Sequence, residues 1–236
     1  REFYTFDDLV AAKRVQSSDV AFVIPRRNWT AGTIYDTYSH DIGEYTTGST
    51  SVRKTSTSGA TTLFDSTFYV LSSARNVYKC LDNNGGATST DEPTGVSTSV
   101  ITTTDSYKWK FMYTLSAAQQ ANFLSTDFMA VSPNSSPGSD QSNVISAAVD
   151  GSIDVVKIKT GGSGGTNGTF TSIPIRGDGS GGVATVVVGG GAVTSVTVTT
   201  PGTGYTFATI SNAQIVAAGA TNLAGSELDV IIPPKG

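Results

Sequence analysis

From Tyr107 to Tyr113 the chain alternates aromatic and other positions. Tyr107, Trp109, Phe111 and Tyr113 are predicted to share one face of an extended strand, with Lys108 and Lys110 on the other. Phe68–Leu71 and Asn76–Leu81 are shorter runs of the same aromatic and β-branched kind and are predicted strands. Two stretches carry helix-start signals instead. Phe6–Val15 follows Thr5 with Asp8 three residues on, and Ala117–Leu124 follows Ser116 with Gln119 three residues on. Thr46–Thr62 is nearly all Ser, Thr and Gly around Arg53 and Lys54, which predicts an exposed, mobile loop. Ser132–Asp140 carries two prolines and a glycine among serines and reads as a linker.

Beyond residue 150 the pattern repeats. Residues 151–166 lie over residues 191–206 at an offset of 40, with identities at Gly151/Gly191, Val156/Val196, Thr160/Thr200, Gly162/Gly202, Gly164/Gly204 and Thr166/Thr206. Each copy alternates apolar and polar residues and then turns at spaced glycines, which predicts a strand followed by a turn at positive φ. Between the copies, Val183–Val188 is a continuous β-branched run and Gly189–Gly191 a predicted hairpin turn. The unit is a duplicated piece of β-structure, too short in copies to form a solenoid.

Composition sharpens the boundary. Residues 151–236 hold 18 of the 26 glycines but three of the 21 aromatics, whereas residues 1–150 hold both tryptophans and 26 of the 34 charged residues. The expected organisation is therefore a β-sandwich-like module with short helices in its side loops over 1–131, a linker over 132–150 and a Gly-rich all-β module over 151–236. Charge excludes several classes. A formal net charge of −4 with no basic run lacks the footprint that nucleic-acid phosphates require. No segment reaches about 18 apolar residues, so no membrane-spanning helix is expected. One His and one Cys cannot assemble a nitrogen–sulfur zinc site, and the lone Cys80 has no partner for an internal disulfide.

Candidate chemistry is thin. Gly177–Gly182 spells G-x-G-x-x-G, but strand formers follow where a dinucleotide site needs a helix, so it reads as a β-turn. Arg176-Gly177-Asp178 matches an adhesion tripeptide that Gly-rich turns produce by chance. His40 has no nucleophile elbow to serve. Cys80 reads as a small core residue, and Asp91-Glu92 before Pro93 as a polar loop. No catalytic residue, metal site or cofactor is expected. The densest feature is residues 21–29, an apolar strand ending at Pro25 followed by Arg26, Arg27 and Trp29. Arg and Trp are enriched at interface hot spots, which makes Pro25, Arg26, Arg27 and Trp29 candidate interface residues. The same pattern fits a strand end whose arginines cover apolar surface with their stems. The residues leave both readings open.

Taken in order, residues 22–29, 35–38, 68–70, 77–84, 91–94, 105–113 and 126–129 resemble the gene-eight baseplate wedge family of T-even-type contractile-tailed phages, its cyanophage branch above all. The resemblance spans residues 20–131 and is carried best by Val23-Ile-Pro-Arg-Arg-Asn-Trp29, Val77-Tyr-Lys-Cys-Leu-Asp82 and Tyr107-Lys-Trp-Lys-Phe-Met-Tyr113. It implies a non-enzymatic structural protein of the virion tail, assembled in the host cytoplasm. It also implies a β-sandwich core, a homodimer within each wedge and contacts with other wedge proteins. The family's longer region ahead of the Ile-Pro-Arg block implies further chain before Arg1. The Gly-rich repeat lies outside the family pattern and resembles β repeats of other phage tail proteins. A different class, a carbohydrate-binding or adhesion module of a phage tail, has a similar composition and would stack sugars on exposed Tyr and Trp. A glycan-cleaving enzyme would need two carboxylates facing one cleft, and acidic residues are sparse.

Overall fold

The computed structural model describes residues 14–38, 42–47, 50–54 and 56–232. The fold is mainly β, with three short helices and several small sheets. Four strands form the first sheet: β4 (Tyr69–Leu71), β5 (Asn76–Asp82), β7 (Lys108–Thr114) and β6 (Ile101–Thr102), all antiparallel and in that spatial order. One face buries Val70, Tyr78, Cys80, Trp109 and Phe111 with Tyr35 and Tyr107. Tyr35 meets Trp109 edge-on at 5.6 Å between centroids, and Tyr107 stacks on Trp109 at 5.5 Å, geometries that favour the ring quadrupoles. The other face buries Tyr69, Leu71, Val77, Tyr113 and Leu115 against a ribbon of β1 (Val23–Pro25) and β8 (Phe128–Ala130). Among the described residues the second layer is thus two strands wide. Tyr113 departs from its predicted face. The register moves from Val77↔Tyr113 to Tyr78↔Phe111, leaving Met112 as an extra residue, and such a bulge turns the side chains beyond it.

Helix α1 (Ala117–Phe123) forms as predicted, with Ser116 and Gln119 exchanging the two capping-box hydrogen bonds. The Phe6–Val15 prediction falls almost wholly outside the described residues, as does His40. Two expectations about loops are corrected. Residues 46–62, predicted to be a mobile loop, hold the end of β2 (Gly43–Thr47) and all of its hairpin partner β3 (Thr50–Lys54). Just beyond it, Ser58 donates its backbone N–H and its hydroxyl to the Asp36 carboxylate. The 132–150 linker contains a helix, α2 (Ser139–Ala147). Pro137-Gly138 ends the turn, and the helix is then held by its docking: Val144 packs on the aromatic cluster and Gln141 is buried.

The second module has strands β9 (Val155–Ser163), β10 (Gly168–Pro174), β11 (Arg176–Gly177), β12 (Val183–Gly189), β13 (Ala192–Thr200), β14 (Ala208–Thr209) and β15 (Ala224–Ile231). One short helix, α3 (Asn212–Ala217), interrupts what was predicted to be all β. The duplication is visible in the pairing. β12 pairs with β13, and β15 pairs with β9, both antiparallel. Val186↔Val196 in the first pair matches Val230↔Val156 in the second, and Thr185↔Thr197 matches Asp229↔Lys157. Both pairs break register at the same place, between Val183 and Ala184 and between Glu227 and Leu228. Each half therefore lends its last strand to the first strand of the other half, an arrangement with approximate two-fold symmetry. The ends cross reciprocally as well: Gly165 N–H donates to the Gly191 carbonyl, and Tyr205 N–H to the Gly151 carbonyl. These crossings need bare backbones. A Cβ on Gly151, at φ +62°, would lie 2.2 Å from Tyr205 N.

This module buries aliphatic side chains, Ile153, Val156, Ile173, Val186, Val196 and Ile215 among them, with Tyr205 as its one fully enclosed aromatic among the described residues. The two modules touch through polar groups. Lys110 Nζ lies 3.2 Å from Asp154 Oδ2, and Lys157 Nζ donates to Thr37 Oγ1 at 2.8 Å.

Candidate functional site

The segment predicted to be an interface leaves the ribbon at Pro25 and crosses to the edge of the first sheet. Arg26 N–H donates to the Asp127 carbonyl, Leu71 N–H to the Arg27 carbonyl and Trp29 N–H to the Leu71 carbonyl, so residues 26–29 are pinned by backbone bonds on both sides. Pro25 has no N–H, and its carbonyl accepts the Tyr69 hydroxyl at 2.7 Å. Arg26 Nε donates to Asn28 Oδ1 and one terminal nitrogen to the Ser125 carbonyl, both at 2.8 Å. Arg27 reaches the carbonyls of Phe64 and Asp65 at 3.2 and 3.4 Å, and its Nε is buried with no acceptor. Trp29 is half-buried, packs against the aromatic cluster and donates Nε1–H to Ser89 Oγ at 3.1 Å. Pro25, Arg26 and Arg27 thus sit together at one corner, while Trp29 belongs to the chain's own core edge.

Exposed apolar side chains lie along the ribbon and the segment leading into it. Phe22 is 85% exposed, and Val20, Val23 and Phe128 are exposed too. Val131 N–H donates to the Phe22 carbonyl at one end of the ribbon and Pro25 lies opposite Phe128 at the other, so these side chains are spread along the two strands. Their partners Ile24 and Met129 turn inward. Sequence reasoning found the run 21–25 but missed this patch. A strand covered on one side only shows its outer residues once its single neighbour, more than 100 residues away, is known.

Four carboxylates of the first module hold its own loops. Asp36 is fully buried, and its carboxylate accepts from Ser58, Ser66 and Thr67, including two backbone N–H groups. Burial pushes its carboxyl up, but the bonds from Ser58, Thr67 and Ser66 outweigh that and hold it below the usual range. Asp105 is treated alike: burial raises it, while bonds from Thr103, Thr90, Tyr107 and Asp91 carry it below the ordinary value. Asp91 holds Thr104, and Glu92 holds Ser73 through its backbone N–H and hydroxyl. Burial pushes the Cys80 thiol far up, away from thiolate chemistry. Among the described residues no three His, Cys, Asp or Glu side chains stand close enough to hold a metal ion. Nor is any helix among them long and apolar enough to cross a membrane.

The G-x-G-x-x-G stretch has a role of its own. Strand β12 follows it, as the turn reading requires. Its glycines form a cradle for the Tyr205 ring: a Cβ on Gly179 would lie 2.5 Å from Tyr205 Cγ, and one on Gly182 would lie 2.9 Å from the hydroxyl. That hydroxyl donates to the Ile175 carbonyl and accepts from Gly182 N–H. Asp178 of the adhesion-like tripeptide is also engaged. It accepts from the Thr206 hydroxyl and from the backbone N–H groups of Thr206 and Phe207, which pull its carboxyl down to about 2.

Set against family models, curated proteins and solved structures, the chain matches none.

Proposed function

We propose that the chain is a non-enzymatic structural part of a phage contractile-tail baseplate wedge, acting through protein–protein contacts. The surface of contact is the β1–β8 ribbon with its Arg26–Arg27 corner, and the partners are other wedge proteins and a second copy of the chain. The observation that carries this is the exposure of Val20, Phe22, Val23 and Phe128 along the ribbon and the segment leading into it, in a module where Asp36, Asp91, Glu92 and Asp105 hold its own loops. Apolar side chains gathered on an open surface mark contact sites. The resemblance across residues 20–131 covers this ribbon and the sheet beneath it.

Sugar stacking has less in its favour. Tyr35, Tyr69, Tyr78, Tyr107, Tyr113, Tyr205 and Trp109 are buried, so the rings best suited to a glycan face inward.

Phe22→Ser and Phe128→Ser test the proposal in wedge reconstitution. Both side chains are exposed, so tryptophan fluorescence should stay native. Removing an interface anchor commonly costs ~2 kcal/mol or more of binding, about thirtyfold in affinity. Folded variants that join the wedge as well as the parent chain would defeat the reading.

A further inference from the structure

Strand β1 has a neighbour on one side only, β8. Val131 N–H donates to the Phe22 carbonyl and Arg26 N–H to the Asp127 carbonyl, with Ile24 opposite Met129 between them. Residues 22, 24 and 26 therefore turn their backbone groups toward β8, and the N–H and C=O groups of Ala21 and Val23 point to the opposite edge. Among the described residues nothing pairs with them there. Pro25 closes the open stretch, since it has no N–H and its carbonyl holds the Tyr69 hydroxyl. An unpaired edge is a template for one more strand. By alternation the exposed side chains of Phe22 and Val23 fall on the two faces of that edge.

Charge follows directly after Pro25. Between described residues the ion pairs are Lys108–Asp82, Lys110–Asp154 and Lys159–Glu227, so neither Arg26 nor Arg27 has a carboxylate partner. Their acceptors are neutral oxygens: Asn28 Oδ1 and the Ser125 carbonyl for Arg26, the Phe64 and Asp65 carbonyls for Arg27. Arg27 Nε is enclosed and takes no part. Arg26 Nη2 and Arg27 Nη1 have no acceptor and remain open to solvent. Each guanidinium is thus held in place by one terminal nitrogen and offers the other, with its charge uncompensated. A carboxylate is the group that matches such a donor.

We propose that β1 receives an acidic, extended segment of a neighbouring subunit as an added strand. The segment pairs with the backbone of Ala21 and Val23, lays apolar side chains beside Phe22 and Val23, and sets an Asp or Glu carboxylate on the free guanidinium nitrogens beyond Pro25. The inference rests on the wedge reading and adds the chemistry of the partner: a strand with an acidic end.

The probe is the peptide Asp-Glu-Val-Thr-Val-Thr-Val-Glu-Asp, blocked at both termini and acidic at each end so that it suits either strand direction. Its neutral twin carries Asn and Gln in place of Asp and Glu. Each is titrated into the isotope-labelled full chain while the Val23 amide is followed by nuclear magnetic resonance. The expected result is a saturable shift of that amide with slowed hydrogen exchange. The acidic peptide should bind about tenfold more tightly than the neutral one, with the gap narrowing at high salt. Arg26→Gln and Arg27→Gln should each reduce the gap, and Phe22→Ser should weaken both peptides alike, with tryptophan fluorescence certifying each fold. A Val23 amide that neither peptide moves overturns the proposal, and so does equal affinity for the two in the parent chain. Equal affinities alongside a Phe22→Ser variant that fails in wedge reconstitution would sink the acidic strand and leave the wedge reading standing.

Discussion

The two modules reach stability by opposite routes. In the first, large side chains set the architecture. Tyr107, Trp109 and Tyr35 interlock, the Tyr69 and Tyr113 hydroxyls tie the sheet to the ribbon carbonyls, and buried or clamped carboxylates hold the loops. In the second, the decisive positions are those without a side chain. Gly151 lets one half cross the other at backbone distance, and Gly179 and Gly182 make room for Tyr205. The lesson is that the same β-structure fails differently in the two regions. The first should break when atoms are removed, the second when they are added.

The largest effect should come from adding one methyl. Gly151→Ala combines a left-handed backbone with a Cβ 2.2 Å from Tyr205 N, and is expected to cost more than about 4 kcal/mol. Both tryptophans lie in the first module, so their fluorescence should remain native while far-ultraviolet circular dichroism loses strand signal. Loss of both signals together would erase the distinction between the modules.

Asp36→Asn is the counterpart in the first module. It leaves donors from Ser58, Ser66 and Thr67 facing a group that accepts through one oxygen only, and should cost about 3 kcal/mol by denaturant titration. The pH dependence has a definite sign. Asp36 lies below its ordinary 3.8 in the fold, so its stabilisation is complete above that value and is lost as pH falls through the depressed folded one. Tryptophan fluorescence should report acid unfolding below pH 3.8, and Asp36→Asn should flatten that limb.

Tyr205→Phe keeps the ring in its glycine cradle but deletes the bonds to the Ile175 carbonyl and Gly182 N–H. Thermal denaturation should show a loss of about 2 kcal/mol. Gly190→Ala is the smallest and sharpens the point. Gly190 also has positive φ, but nothing lies within 4 Å of its Cβ position, so only backbone strain of about 1 kcal/mol is expected. A Gly190→Ala loss as large as that of Gly151→Ala would locate the cost in φ alone, not in the crossing of the halves.

What the sequence made legible was local. The alternation at 107–111, the Ser116–Gln119 capping box and the 40-residue duplication each depend on near neighbours and reappear in the fold. What it hid was long-range. The bulge at Met112 depends on how β5 meets β7, and nothing in Ala224–Ile231 announces that it closes onto Val155–Ser163. Helix α2 has a Ser-rich sequence with weak intrinsic preference, and its order follows from docking. At the candidate site, the residue types at 25–29 were readable, but not that Arg27 would hold the carbonyls of residues 64 and 65, or that Trp29 would turn inward.

The central functional claim is that the first module meets its neighbours through the ribbon, and density of an intact contractile tail tests it most directly. The account predicts that the chain lies in the baseplate, with Phe22 and Phe128 covered by a neighbouring chain and the Arg26–Arg27 corner at the rim of that contact. A tail map that places the chain elsewhere, or leaves Phe22 and Phe128 facing solvent, would contradict it.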